Sequence, residues 1–386
     1  MNEAALKFSN EYLTELQSYP LNIKINLTKQ RIREAFQRYN EDVYVSFSGG
    51  KDSEVCLDLV ASVAARLGYD EIHALYVNTG LEYASVQKFC KPFCEFISSK
   101  YGINIILDVK YPSYKFIDVL KDYGYPIISK EVSGKIEEAR KGISMANGKY
   151  QGAIDTFNGT RTDKNGYISP YNYPQYKFLL DAPFRISQNC CKKTKKAPAH
   201  EYETETGRIP IVGTMADESR LRRTSWLMRG CNAFDCDRPS SRPMSFWKQK
   251  DVLEYIYTKD LPIAPSYGKV KRHIKGTIKD QSTIFDICDI SDEDVEYEYY
   301  TTLCERTGCL YCLFGITQDR DRILRLQKLE PKRTKFVLGG GEFDESGMWV
   351  PNKEGLGYAF ILDYLAQNGI YIPYNKEQLI TKETAA

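Results

Sequence analysis

The stretch "VYVSFSGGKDSEVCLDLV", residues 43 to 60, constrains this chain most. Strand-forming residues run up to Phe47, two glycines follow, and from about Ser53 to Leu67 the residues Cys56, Leu59, Val60, Val63 and Leu67 recur at helical spacing, with Gly68 placed as a C-terminal cap. Adjacent glycines let a backbone approach a ligand closely, and a helix start offers unpaired N–H groups and partial positive charge. A strand that turns into a helix through Ser46-Phe47-Ser48-Gly49-Gly50-Lys51-Asp52-Ser53 therefore predicts an anion site, most naturally for phosphate. Ser48 and Ser53 add hydroxyls, Lys51 a cation, and Asp52 either a helix cap or a magnesium ligand. The P-loop pattern Gly-x-x-x-x-Gly-Lys-Ser/Thr is absent.

Around this turn strands and helices alternate. Residues 1 to 40 read helical, with Ile32 and Phe36 on one face; strands are expected at 43–47, 71–80, 103–112 and 208–214. Helices are expected at 53–67, at 85–102 with Pro92 as a kink or restart, at 245–263, and near "GYAFILDYLAQNG". Such alternation implies an α/β fold, an open, mostly parallel twisted sheet with helices on both faces. The expected organisation is an N-terminal helical segment at 1–40, an α/β domain at 41–315, and a mixed, partly helical extension at 316–386. Inside the domain, 142–189 is rich in Gly, Asn, Tyr and Pro and reads as an insertion, either a lid or a disordered surface loop.

Composition is that of a globular protein, 42% hydrophobic and 27% charged with a formal net charge of +2. The N-terminus lacks the basic and apolar regions of a secretory signal, and no apolar run approaches the ~18 residues of a membrane span. The expectation is a soluble cytoplasmic protein, away from membranes. In that setting the 11 cysteines are reduced thiols rather than a disulfide framework. Cys56 and Cys288 read as buried apolar residues, whereas the adjacent Cys190 and Cys191 and the Cys309-x-x-Cys312 pair suit a soft metal site. The basic runs at 191–196, 220–223 and 269–275 and the acidic run at 289–298 each read, taken singly, as solvated faces. His73, His200 and His273 show no metal spacing.

"SFSGGKDS" resembles the PP-loop of the ATP pyrophosphatase superfamily. Further landmarks resemble its branch of phosphoadenosine-phosphosulfate reductases and their relatives: "YVNTGLEYASVQKF", "IVGTMADESRLRRTSW", "RPMSFWKQKDVLEYI" with "LPIAPSYG", and "RTGCLYCLFG". The resemblance implies an adenine nucleotide alpha hydrolase-like fold. It implies that Asn78, Thr79 and Gly80, then Gly213, Glu218, Ser219 and Arg220, stand beside the nucleotide, with Lys51, Asp52 and Arg220 serving the reaction. Cys190, Cys191, Cys309 and Cys312 are similar to the set that holds a 4Fe-4S cluster in adenylylsulfate reductases, with zinc or unligated thiols as alternatives. Cys304 adds a Cys-x4-Cys-x2-Cys run similar to the clustered cysteines of the DndC proteins of DNA phosphorothioation, a resemblance that makes Cys304 or Cys231 the alternative fourth ligand in place of one of the tandem pair. Lys192, Lys193, Lys195 and Lys196 either add positive potential there or form an exposed helix start.

Departures from the family pattern point to a use. Sulfonucleotide reductases usually lack the Lys-Asp of this loop, which members that use intact ATP keep, and their catalytic cysteine near the C-terminus has no counterpart after Cys312. Met215 stands where the pattern places arginine, although Arg220, Arg222 and Arg223 lie nearby. The expected activity is adenylation by magnesium-bound ATP, releasing pyrophosphate, followed by sulfur transfer to a nucleic acid or nucleotide. A sulfur donor such as a cysteine desulfurase is the expected partner, and an oligomer is compatible. The alternatives are a sulfonucleotide reductase and a nucleotide-binding regulatory module without turnover.

Overall fold

The computed structural model describes residues 6–146, 148–275 and 295–377. Cys288, most of the acidic run at 289–298 and the tail beyond 377 lie outside the described residues. The chain forms two compact units, one of Met1–Tyr111 with Ala199–Gly308, the other of Pro112–Pro198 with Cys309–Ala386.

In the first unit, helices α1 (Asn10–Ser18) and α2 (Leu21–Tyr39) precede strand β1 (Val43–Ser46), helix α3 (Lys51–Leu67), strand β2 (Glu71–Val77), helix α4 (Ala84–Tyr101) and strand β3 (Asn104–Lys110). Strands β4 (Ile209–Val212), β5 (Asn232–Ala233) and β6 (Ser240–Ser241) complete a six-stranded sheet in the order β3-β2-β1-β4-β6-β5. All neighbours run parallel except β5 against β6. Val45 lies between Ala74 and Ile211, which fixes the register of the three central strands. From β1 the chain steps outward through β2 and β3, then returns to the other side of β1 as β4. The carboxyl ends of β1 and β4 thus flank the point where strand order reverses, the crevice where open α/β sheets hold ligands.

Helix α3 explains why the loop before it is well fixed. From Val55 to Ala64 every residue is buried, as expected of a helix with no solvent face. The buried carboxylate of Asp58, mid-helix, is matched by Lys100 Nζ at 2.7 Å, Tyr101 Oη at 3.0 Å and Tyr255 Oη at 2.5 Å. Gly68 ends it in the left-handed conformation. Pro92 does not interrupt α4, which runs unbroken from Ala84 to Tyr101. The helix expected at 245–263 is shorter, Gln249–Thr258, and Asp251 at its start forms a buried ion pair with Lys24 of α2 at 2.7 Å.

The second unit holds the stretch 142–189, which is more regular than its composition suggests. It contains the end of the helix Lys130–Met145, the helix Gln151–Asn158 and a 3-10 segment Pro174–Asp181. Arg140 explains the order: its guanidinium donates to the carbonyls of Leu179, Leu180, Ala182 and Phe184 at 2.7 to 3.0 Å, so the turn's buried backbone acceptors are satisfied. Ile127–Ile128 pairs in parallel with Leu313–Phe314, joining the two chain segments of this unit. The final helix, Tyr358–Gln367, buries Tyr358 against Tyr125.

Candidate nucleotide site and cysteine group

The turn from β1 to α3 is built around its glycines. Gly49 has φ +66°, and a side chain there would meet Cys90 Sγ at 2.6 Å and Val86 Cγ1 at 2.8 Å. Only glycine lets this backbone lie so close to α4. Ser53 Oγ donates to the Gly50 carbonyl at 2.7 Å and accepts from the Ser48 N–H at 3.1 Å, with Ser48 Oγ also 3.1 Å away. These bonds close the loop on itself. Lys51, only 2% exposed, has its Nζ 3.3 Å from Asp52 Oδ1 and 5.7 Å from the centre of the Tyr267 ring. The Lys51 N–H donates to Tyr267 Oη at 3.2 Å, and Tyr267 Oη shares a 2.6 Å bond with Thr307 Oγ1.

Gly213, just past β4, abuts the same turn: a side chain there would meet the Asp52 carbonyl at 2.7 Å and Cys56 Cβ at 2.9 Å. Ser46 ends β1 between Leu75 and Val212. Asn78, Thr79 and Gly80 form a self-bonded turn at the carboxyl end of β2, where Asn78 Oδ1 accepts from Gly80 N at 3.0 Å and Thr79 Oγ1 donates to Glu82 Oε1 at 2.8 Å. After β4, Glu218 accepts from the Met215 N–H at 2.9 Å and pairs with Arg222, and Ser219 caps the helix Arg220–Arg229. Loop and Gly213 are thus in contact, while Asn78–Gly80 and Glu218–Ser219 share with them the carboxyl edge of the sheet. Arg220 opens its helix at the surface, and Met215 is a core residue, 1% exposed, rather than a charged contact.

Three features escaped the pattern reading. Tyr267 and Thr307 lie inside quoted landmarks, yet nothing in their local sequence places them on the loop. Cys90 and Val86 form the wall behind Gly49, and in sequence they read only as an apolar helix face. Glu54, in the first turn of α3, is fully buried, and burial followed by the Asp52 charge pushes its carboxyl well above the ordinary range, against the pull of Lys51 and of the Ala264 backbone.

In the second unit, Cys190, Cys191, Cys309 and Cys312 share one region. Burial, then Cys191 and Cys309, push the Cys190 thiol up, and burial, then Cys309, push Cys312 up to about 12. The Cys312 N–H donates to the Cys309 carbonyl at 3.2 Å, and Arg322 donates to the Cys312 carbonyl at 2.8 Å, which fixes this turn. Lys193 lies over the rings of Tyr114 and Tyr123. Among the described residues no three His, Cys, Asp or Glu side chains are set around one ion position. Cys231 and Cys304 belong to the first unit, where Cys231 accepts from Ser245 Oγ and Cys304 lies 3.6 Å from Tyr83 Oη. The ten described cysteines are all free thiols.

The fold and the loop define an α/β domain whose glycine turn and helix start stand at the strand-order reversal of its sheet. Residues 42–166, loop included, match the family described as the phosphoadenosine phosphosulfate reductase domain. An uncharacterized protein of Methanocaldococcus jannaschii is 35% identical over 95 residues, which are 25% of this chain and 18% of that protein. The match therefore spans less than a fifth of that relative. A solved phosphoadenylyl-sulfate reductase from Candida auris, in its phosphate complex, aligns over 68% of this chain and 92% of that one at 10% identity, with a TM-score of 0.33. Among the described residues no helix is long and apolar enough to cross a membrane.

Proposed function

We propose that this chain adenylates a nucleic-acid or nucleotide acceptor with ATP and passes it to a sulfur donor. The observation that carries the reading is the loop: two glycines and a buried lysine at the start of α3, at the strand-order reversal of a sheet and within the stretch that matches the reductase family. An acceptor oxygen attacks the α-phosphorus, the bond to the β-phosphate oxygen breaks, and pyrophosphate leaves with the electron pair. The loop N–H groups and Lys51 would stabilise charge on the leaving pyrophosphate. Sulfur from the donor then displaces AMP.

Asp52 suits a magnesium ion carried in with the nucleotide, because its buried Oδ1 accepts no hydrogen bond and has Lys51 beside it. Such an ion supplies charge neutralisation on the phosphates. In the second unit, four thiols from two chain segments form a soft donor set that suits a 4Fe-4S cluster, with zinc as the alternative. A cluster spreads its thiolates over separate irons, so they need not surround a single point. For the acceptor, support comes from an ordered loop that exposes Tyr167 and Tyr171: Asp163 accepts the N–H groups of Asn165 and Tyr167, and Asn172 bonds back to Arg161. Exposed aromatic rings of this kind stack on bases.

The domain family equally supports a second reading, a sulfonucleotide reductase. Pyrophosphate release from ATP, with and without DNA or tRNA, is measured beside sulfite release from adenylylsulfate with thioredoxin. Adenylation predicts pyrophosphate from wild type and none from Lys51→Ala. Sulfite without pyrophosphate would establish the reductase, and ATP binding without either product a regulatory module.

A further inference from the structure

Over Gly50, where a side chain would stand, three hydroxyls converge: Tyr267 Oη at 3.3 Å, Ser48 Oγ at 3.5 Å and Thr307 Oγ1 at 3.5 Å. Their protons can be followed. Ser53 donates to the Gly50 carbonyl, so its oxygen is left to accept from Ser48, and that pair has no hydroxyl proton to spare. Tyr267 and Thr307 together carry two hydroxyl protons and use one in their 2.6 Å bond. Tyr267 Oη also accepts the first N–H of α3. One O–H is therefore uncommitted, beside the Gly50 backbone on which the three hydroxyls converge.

The two residues differ in access. Tyr267 is 2% exposed, while Thr307 is half-buried and opens to solvent. With Tyr267 donating to Thr307, the relay runs from the Lys51 N–H through Tyr267 to the hydroxyl of Thr307, the more exposed of the two. Each bond in such a chain polarises the next, so its last donor suits an anionic acceptor.

We propose that Thr307 is a further phosphate-binding residue of this loop, donating its hydroxyl to an oxygen of the phosphate chain over Gly50, with Tyr267 as the residue that positions it. The inference rests on the reading that the loop takes a nucleotide's phosphates. It adds to that loop two residues more than 200 positions away in the chain.

The test is calorimetric binding of inorganic pyrophosphate and of magnesium-ATP to the full chain. Thr307→Val keeps the shape and removes the donor, and should weaken pyrophosphate binding about 10-fold or more, the scale of one hydrogen bond to a charged group. Thr307→Ser should restore it, an outcome that a merely structural role would not give. Tyr267→Phe should weaken binding less, and the double variant should bind like Thr307→Val alone, because the two residues act as one relay. Wild-type binding with an unchanged Thr307→Val would overturn the inference and leave the loop's reading intact. A wild type that binds neither pyrophosphate nor ATP would overturn both.

Discussion

Gly49 shows how one residue ties the loop's chemistry to its packing. Its left-handed backbone and its closeness to Cys90 and Val86 each require glycine, so Gly49→Ala combines backbone strain with a clash. The two together should cost about 2–4 kcal/mol locally, and the expected outcome is loss of ATP binding with the sheet retained. Calorimetry and circular dichroism on the same sample check both halves. Gly49, Gly50, Lys51 and Ser53 were legible because the loop's needs are local: a tight turn, a close approach and a helix start, each written in adjacent residues. Tyr267, Thr307 and Cys90 were not, since their partners lie far along the chain and no periodicity records which hydroxyl meets which N–H. Glu54 was hidden for another reason, because beside Asp52 it reads as ordinary first-turn acidity.

Elements were legible where a period repeats and obscure where single side chains impose order. Strands β1 to β4 and helices α3 and α4 fall within a few residues of expectation, because both faces of a parallel sheet must be covered and the apolar spacing says so. The helix Gln151–Asn158 and the segment Pro174–Asp181 fell in a stretch whose Gly, Asn and Pro content hides them, and the Arg140 bonds that order it leave no local trace. In α3, Asp58→Ala should destabilise the fold by about 3 kcal/mol, because it leaves the buried Tyr255 hydroxyl unpaired and Lys100 without its partner. Tyr255→Phe, which removes one donor and leaves two, should cost about 1 kcal/mol, and urea unfolding compares them. Around the short pair Glu342–Phe343 and Trp349–Val350, Asp344 accepts from Ser346 and Met348 and pairs with Arg185, and the Ser346 hydroxyl leads in holding its carboxyl down at about 2. A depressed carboxyl stabilises above its unfolded value near 3.8 and loses that contribution as pH falls toward 2. Asp344→Asn should therefore flatten the fall in stability between those two values, read from acid unfolding curves of the two proteins.

At the scale of the molecule, strand order and segment order place the chemistry. The reversal at β1 and β4 puts Ser46–Ser53 and Gly213 at one crevice, so the loop's position follows from topology as much as from its motif. The second unit is assembled from Pro112–Pro198 and Cys309–Ala386, with Cys190–Cys191 near the end of the first segment and Cys309–Cys312 at the start of the next. A metal centre held by both pairs would fasten those two segments, as the Ile127–Ile128 pairing with Leu313–Phe314 already does. Anaerobically purified protein should then show broad visible absorption and about four irons per chain. Cys190→Ser and Cys309→Ser should lose the iron, whereas Cys231→Ser and Cys304→Ser should keep it, because those two thiols are engaged by Ser245 and Tyr83 in the first unit. Removing the metal should raise amide exchange in peptides covering 187–196 and 309–316, the stretches the centre would hold. Colourless protein with one zinc would keep the donor set and change the metal. Loss of iron from Cys304→Ser with retention in Cys190→Ser would move a ligand to the first unit, and wild-type protein with neither metal would leave these cysteines as buried thiols.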